Sequence, residues 1–337
     1  MQKAFPLLIF SAILFLLLPA GAFADEIPPA QAASVKEIPL EGPASSPKAE
    51  FSGMDWHNER LILLPQYPEK FKHEGSPSLF AIPKTRILSY LNGTASEPIW
   101  PEQISFDMAS VKKAVEKISG RRGWQGFEAI AFSGHEAVFS IEAHGPHGMM
   151  GFLVRGRFKN EGTHITLDEK SLTSIPMPVQ ISNKAYEAIF TADGKVYAIY
   201  EANGLHDNPS PQVQVFDIYG ESGLRYLGAL PFPPAEYRIT DITAWRKGEP
   251  LTAVNYYFPG DKKTLDPIPD PKGPVEQLVF FSFDGKAIAK RPEPPMTLIN
   301  RTGKPRNWEG IAPLDDRGYL LVTDKWPTTI LAFVPRQ

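Results

Sequence analysis

The chain has 337 residues, 42% of them hydrophobic and 22% charged, with a formal net charge of -3. That length holds one large domain or two ordinary ones, and the near-neutral balance offers no field for nucleic acid or an anionic membrane. With no cysteine present, disulfides, thiolate metal sites and lipid attachment at cysteine are excluded.

The chain opens with "MQKAFPLLIFSAILFLLLPAGAFADE": one early lysine, an apolar run, then Ala22-Phe23-Ala24 before Asp25. This is the anatomy of a secretory signal peptide, 1–24, cleaved after Ala24. An uncleaved anchor is the alternative, but Pro19 and Gly21 break the run before it reaches the roughly 20 apolar residues of a span. No later segment is long and apolar enough to cross a bilayer. The mature chain is therefore expected to be soluble and periplasmic or secreted, and to act as a monomer. Residues 25–32 read as a flexible leader, and 33–337 as a single domain.

The next element is "ASVKEIPL", Ala33 to Leu40, a short strand without an obvious neighbour. Beyond it, one pattern recurs at irregular intervals. "FSGMDW" at Phe51, "FEAIAF" at Phe127, "YEAIFT" at Tyr186, "ITDITA" at Ile239 and "WEGIAP" at Trp308 each place an oxygen-bearing residue after a bulky apolar one. That second position reads Ser52, Glu128, Glu187, Thr240 and Glu309. Alternating strands and turn residues follow each marked strand: "RLILLPQYP", "SLFAIPKTRILSYL" and "IWPEQISF" after the first, "EAVFSIEAHG", "MGFLVRGRF" and "THITLDEKSLTSIP" after the second. "KVYAIYEANG", "QVQVFDIYG" and "LRYLGALPF" follow the third. The fourth unit continues with "PLTAVNYYF", "QLVFFSFDG" and a weak run near "KAIAKRP". The last unit has only "GYLLVTDK" and "TTILAFVP" after its marked strand.

Repetition on this scale predicts an all-β propeller, five blades of four antiparallel strands. Ala33 to Leu40 is expected to supply the missing outer strand of the last blade, pairing with Thr328 to Val334 and sparing an unpaired edge. A β-sandwich is the structural alternative, and a sixth blade would require a degenerate repeat within residues 259–306. One helix is predicted at 108–120, where Val111, Ala114, Val115 and Ile118 keep helical spacing and Gly120 stops it.

First strands line a propeller's channel, so the five marked residues would form a ring. Three carboxylates that close cannot all stay ionised without a cation. Oxygen-only donors suit a hard ion, so Ser52, Glu128, Glu187, Thr240 and Glu309 are expected to hold one calcium. For a single Glu, capping of backbone amides would serve as well; the shared position argues for the ion. Asp55 and Asp241 fall out of register and read as turn or supporting groups.

The order Ser, Glu, Glu, Thr, Glu on these strands resembles the calcium-dependent apyrases. "FSGMDW" is similar to that family's opening "SGL" strand and "NWEGI" to its closing "EGI" strand. "EGIA" also resembles the phytase-like propellers. These likenesses imply a calcium-dependent hydrolase of phosphate esters or anhydrides. The chain departs from the apyrases after the first inner strands, where "LLPQYPEKFKHEG" stands in place of an acidic, arginine-containing stretch.

Basic residues crowd the loops of the expected rim, and Arg121, Arg122, Arg238, Arg306 and Lys325 are the candidate contacts for a small anionic, phosphorylated ligand. "AHGPHGMM", with His144 and His147, is the most unusual of these loops. No nucleophile elbow, P-loop or dinucleotide fingerprint is present, and no general base stands out. The second expectation is thus a non-catalytic, calcium-stabilised propeller that binds a ligand or an envelope protein on its rim.

Overall fold

The computed structural model describes Met1 and residues 31–159, 162–220, 223–325 and 328–336. The expected signal peptide, and the leader up to residue 30, lie outside the described residues. After β1 (Gln31–Ala33) and β2 (Lys36–Ile38) come β3 (Phe51–His57), β4 (Arg60–Pro65), the two-residue β5 (Lys72–His73), β6 (Ser76–Pro83), helix α1 (Lys84–Leu91) and β7 (Glu102–Asp107). Helix α2 (Ala109–Ser119) leads into β8 (Trp124–Ser133), β9 (Glu136–Gly145), β10 (Gly148–Lys159) and β11 (His164–Ile175). The third run is β12 (Ala188–Ala192), β13 (Lys195–Ile199), β14 (Gln212–Asp217) and β15 (Arg225–Pro231). Then follow β16 (Arg238–Ile242), β17 (Leu251–Tyr257), β18 (Val275–Phe283), β19 (Ile288–Lys290) and β20 (Met296–Leu298). The chain ends with β21 (Trp308–Leu314), β22 (Gly318–Thr323) and β23 (Leu331–Pro335).

The architecture is all-β and propeller-like. Within each run the strands pair antiparallel in chain order from a first strand outward, except that β6 follows β4 directly and β19 and β20 both pair with β18. The first two runs join at their outer strands, where β11 pairs parallel with β7, His164 opposite Ser105. The first strands also pack on one another in a closed circuit: β3 on β8, β8 on β12, β12 on β16, β16 on β21 and β21 on β3. Two facing sheets of a sandwich would not return on themselves in this way.

Hydrophobic clusters fill the spaces between adjacent runs. Ile62 and Ile104 meet Phe127 and Phe139 in one, and Met54 and Leu63 meet Ala312 and Leu320 in another. Because both faces of an inner sheet are covered, strands such as β4 read as apolar runs instead of alternating. Helix α2 lies where periodicity predicts it. Val111 and Val115 are fully buried against the cluster between the first two runs, and Gly120 ends the helix with φ of 94°.

Two expectations need correction, and one alternative finds no support. "SLFAIPKTRILSYL" is not one strand: β6 stops at Pro83 and the next eight residues form α1, with Ile87 wholly buried. Gln31 and Ala32 belong to a strand, not to a flexible leader, since β1 runs parallel to β20 with Gln31 opposite Met296. The stretch 259–306 hides no further repeat among the described residues; it supplies β18, β19 and β20 to the fourth sheet.

The closing strand is shorter than 33–40, but its place is as expected. β2 pairs antiparallel with β23, Lys36 opposite Phe333 and Ile38 opposite Leu331. Ala33 belongs instead to the fourth sheet. The N-terminal segment therefore ties the last two sheets together, with Ala33 and Ile38 each 1% exposed.

Candidate functional site

The marked position is a structural device. At Ser52, Glu128, Thr240 and Glu309 the register between first and second strands slips by a residue, between Phe51 and Gly53, Phe127 and Ala129, Ile239 and Asp241, and Trp308 and Gly310. A bulge bends the strand and re-aims the extra side chain. Glu187 stands immediately before β12. The residue after the bulge is small at Gly53 and Gly310 because neighbouring strands approach closely there. A Cβ on Gly53 would lie 3.2 Å from Ala129 Cα, and one on Gly310 would lie 2.7 Å from Val322 Cγ1.

The two hydroxyls turn sideways. Ser52 Oγ donates to the Phe127 carbonyl at 2.7 Å and Thr240 Oγ1 to the Trp308 carbonyl at 2.6 Å. Each ties one first strand to the next. Asp55 and Asp241 do the same with the opposite polarity. Asp55 accepts the amides of Trp56 (2.7 Å) and Phe132 (2.9 Å), and Asp241 those of Ile242 and Ile311, both at 2.8 Å.

The three glutamates and Ser52 line a cavity of about 820 Å3 at the centre of the circuit; Thr240 does not. That volume is of small-molecule size. Within this cluster stands Arg238, 6% exposed. Its Nη2 donates to both Glu187 oxygens at 3.1 and 3.2 Å and to Glu309 Oε1 at 3.3 Å. Its Nε donates to Glu201 Oε2 at 2.8 Å, and its Nη1 lies 3.8 Å from Asp261. Lys184, also buried, sits 3.3 Å from the same Glu201 oxygen. The guanidinium lies 5.9 Å from the centre of the Tyr256 ring.

The five residues expected to hold calcium are not gathered in one shell in this structure. Thr240 does not line the cavity, and a guanidinium joins Glu187 to Glu309. Among the described residues, no group of three or more His, Asp or Glu is placed to hold a metal ion.

Burial and charge pull these acids apart. Glu128 is held well above the carboxylate range by burial and then by Glu142; only the Gln66 amide, donating at 3.0 Å to Oε1, favours its ionised form. Burial also raises Glu187 and lifts Glu309 to about 8, with Arg238 opposing in both cases. Glu142 is raised to about 8 by burial and by Glu201. Glu201 goes the other way: burial works against its charge, but Lys184 and Arg238 outweigh it and hold it ionised. The site thus contains carboxyls of both kinds within one cluster.

Of the residues expected to contact a ligand, Arg238 and Lys325 line the cavity. Lys325 Nζ lies 3.4 Å from Glu50 Oε1. Arg121 and Arg122 are exposed in the turn after α2 and do not line it. Arg306 is buried elsewhere, 2.6 Å from Glu276 and 5.0 Å from the Trp308 ring centre, so its role is structural. Some of the basic loop residues are paired with their own neighbours: Lys70 with Glu50, Lys262 with Asp270, and His206 lies 3.0 Å from Asp266.

Sequence reasoning overlooks Glu142, Glu201, Lys184, Gln66 and Asp324. A signal for the first two exists: "EAHG" (Glu142 to Gly145) and "EANG" (Glu201 to Gly204) repeat at the ends of consecutive second strands. Gln66 and Asp324 follow β4 and β22 at matching places.

No protein-family model matches the chain, and no curated protein does. Solved structures similar to it include a glycosyl hydrolase from Bacteroides ovatus, 9% identical over 90% of this chain and 95% of that one, with a TM-score of 0.49. A putative exo-beta-1,3-galactanase from Bifidobacterium bifidum is 10% identical over 90% and 92%, with a TM-score of 0.48. A glucose dehydrogenase is 9% identical over 89% and 99%, with a TM-score of 0.43. Identities and scores at this level leave the chemistry to be read from the chain's own residues.

Proposed function

We propose that the chain is an exported five-bladed β-propeller whose axial cavity binds an uncharged, polyhydroxylated small molecule of carbohydrate type and hydrolyses it, with Glu128 as the proton donor. The observation that carries this reading is the place of Glu128. It is buried on the wall of a ligand-sized cavity, in hydrogen bond with an amide, and among the described residues no cation forms an ion pair with it. Its raised proton affinity supports the same role. The export rests on residues 1–24 alone.

The rest of the wall suits a sugar better than a phosphate. Carboxylates engage Nε and Nη2 of Arg238 and leave Nη1 3.8 Å from Asp261, so it offers no free two-pronged fork to a phosphoryl group. Gln125, Asn183 and Gln66 both donate and accept, as hydroxyl groups require, and Tyr67 and Phe258 present apolar ring surface. Glu128 would protonate the leaving oxygen as the C–O bond breaks. A water attacking the carbon would lose its proton to a carboxylate. Glu309 is the candidate, because the hydrogen bonds from Arg238 and Asn307 engage its Oε1 only; with burial lifting its pKa to about 8, turnover by this route should increase toward that pH.

The test is a panel of aryl glycosides and phosphate esters incubated with wild type and Glu128→Gln. Turnover of a glycoside is expected, with kcat falling about 10²–10⁴-fold in the variant while its melting temperature stays close to wild type. Cleavage of phosphate esters alone would refute the reading. A second reading, a binder without catalysis, is favoured by one observation: Arg238 holds Glu187 and Glu309 together and restrains both. Saccharide binding without turnover of any substrate would select it.

A further inference from the structure

We propose that Arg238 is the ring's resident cation, a side chain standing where the marked residues would otherwise call for a free ion, and that removing it converts the cluster into a divalent-cation site. The guanidinium is held as a bound ion would be. It touches Glu187, Glu201 and Glu309 within 3.3 Å and approaches Asp261 at 3.8 Å. These acids come from four separate segments: before β12, after β13, within β21, and from the turn after β17. One planar group with its donors in fixed directions thereby joins the third, fourth and fifth runs at the axis.

Three observations make it resident instead of incidental. Arg238 is 6% exposed, and its charge is met by the carboxylates of Glu187, Glu201 and Glu309. Its backbone is fixed in the ladder between β16 and β17, opposite Tyr256, and its carbonyl accepts from the Asn255 side-chain amide at 3.2 Å. Its Nη2 serves Glu187 and Glu309 together, bridging residues that the circuit keeps on different runs.

Removing Arg238 leaves Glu187, Glu201, Glu309 and Asp261 around the space it filled, with the buried Lys184 beside Glu201. Oxygen donors from several segments around a vacated space suit a hard divalent ion with flexible geometry. In the wild-type ring the guanidinium already fills that space and supplies the charge. Its role as resident cation is the same whether the cavity hydrolyses its ligand or only binds it.

The experiment is thermal unfolding of the full chain in calcium and in chelator, with calorimetric titration of calcium, for wild type, Arg238→Ala and Arg238→Lys. Wild type is expected to melt at one temperature in both solutions and to bind no calcium on the axis. Arg238→Ala is expected to bind one calcium and to melt several degrees higher with it than without it. Adding Glu187→Gln to that variant should abolish the gain. Arg238→Lys retains a cation and should remain indifferent to calcium. If Arg238→Ala does not fold in chelator, recovery from denaturant in calcium alone supports the proposal. Failure to fold in either solution, or an unresponsive Arg238→Ala, overturns it. So does a wild-type protein that calcium stabilises.

Discussion

Glu201→Ala is expected to cost the fold roughly 3–5 kcal/mol, because removing one partner from a buried ionic network leaves the others uncompensated. Glu201 is fully buried and receives Arg238 Nε at 2.8 Å, Lys184 Nζ at 3.3 Å and the Ala185 amide at 3.0 Å. Without it, Arg238 Nε, Lys184 Nζ and the Ala185 amide lose an acceptor at once. Glu201→Gln keeps an acceptor for Ala185 and should cost less than the alanine variant. Denaturant unfolding measures both. A loss under about 1 kcal/mol, the scale of an exposed pair, would mean that the network contributes little to holding the runs together.

Stability is also expected to fall as the solution is made alkaline. Asp55 is raised to about 7 by burial, and Glu142 and Glu309 to about 8. Each therefore binds its proton more tightly folded than unfolded. Between about pH 4 and pH 8 the unfolded chain carries fewer protons at these groups than the native one, so raising the pH favours unfolding. Their contribution is complete below the ordinary carboxylate range and is lost as the pH passes through their native values. Glu201, held ionised, works in the opposite sense, and its contribution disappears only on strong acidification. The expected slope is on the order of 1.4 kcal/mol per pH unit for each such group. Melting measured from about pH 5 to pH 8.5 should show a steady decline, shallower in Glu309→Gln. Stability that stays level or rises across this range would show that the acids are ionised throughout.

The positions legible in the sequence are those that the fold repeats. Ser52, Glu128, Thr240 and Glu309 share a residue pattern because each sits at the same bulge, so comparing one strand's residues with the next is enough to find them. Their chemistry is less legible than their place. Ser52 and Thr240 look like ion ligands, but a hydroxyl at a bulge can equally reach the next strand's carbonyl, and here both do. Arg238 belongs to a single repeat, so no comparison between strands marks it. By residue type it is one more basic side chain, grouped with Arg121 and Arg306, and only the direction it takes from β16 separates it from them. The "EAHG" and "EANG" pair is visible in the sequence; its meaning depends on second strands also ending at the axis. Helix α1 hides for a local reason. "SLFAIPKTRILSYL" reads as one apolar run until Pro83 ends the strand and Ile87 finds a buried place on a helix face.

A carboxylate-lined axial cavity whose arginine is already paired should select a neutral polyhydroxylated ligand. Calorimetric titration of neutral saccharides and of their phosphorylated counterparts into the wild-type protein tests this selection most directly. The neutral compounds are expected to bind at a single site, and the phosphorylated ones more weakly, because a phosphate would lose its water in a cavity where carboxylates already engage Nε and Nη2 of Arg238. Tighter binding of the phosphorylated compounds, weakening as salt is raised, would contradict it and return the site to the anionic ligands that its basic loops suggest.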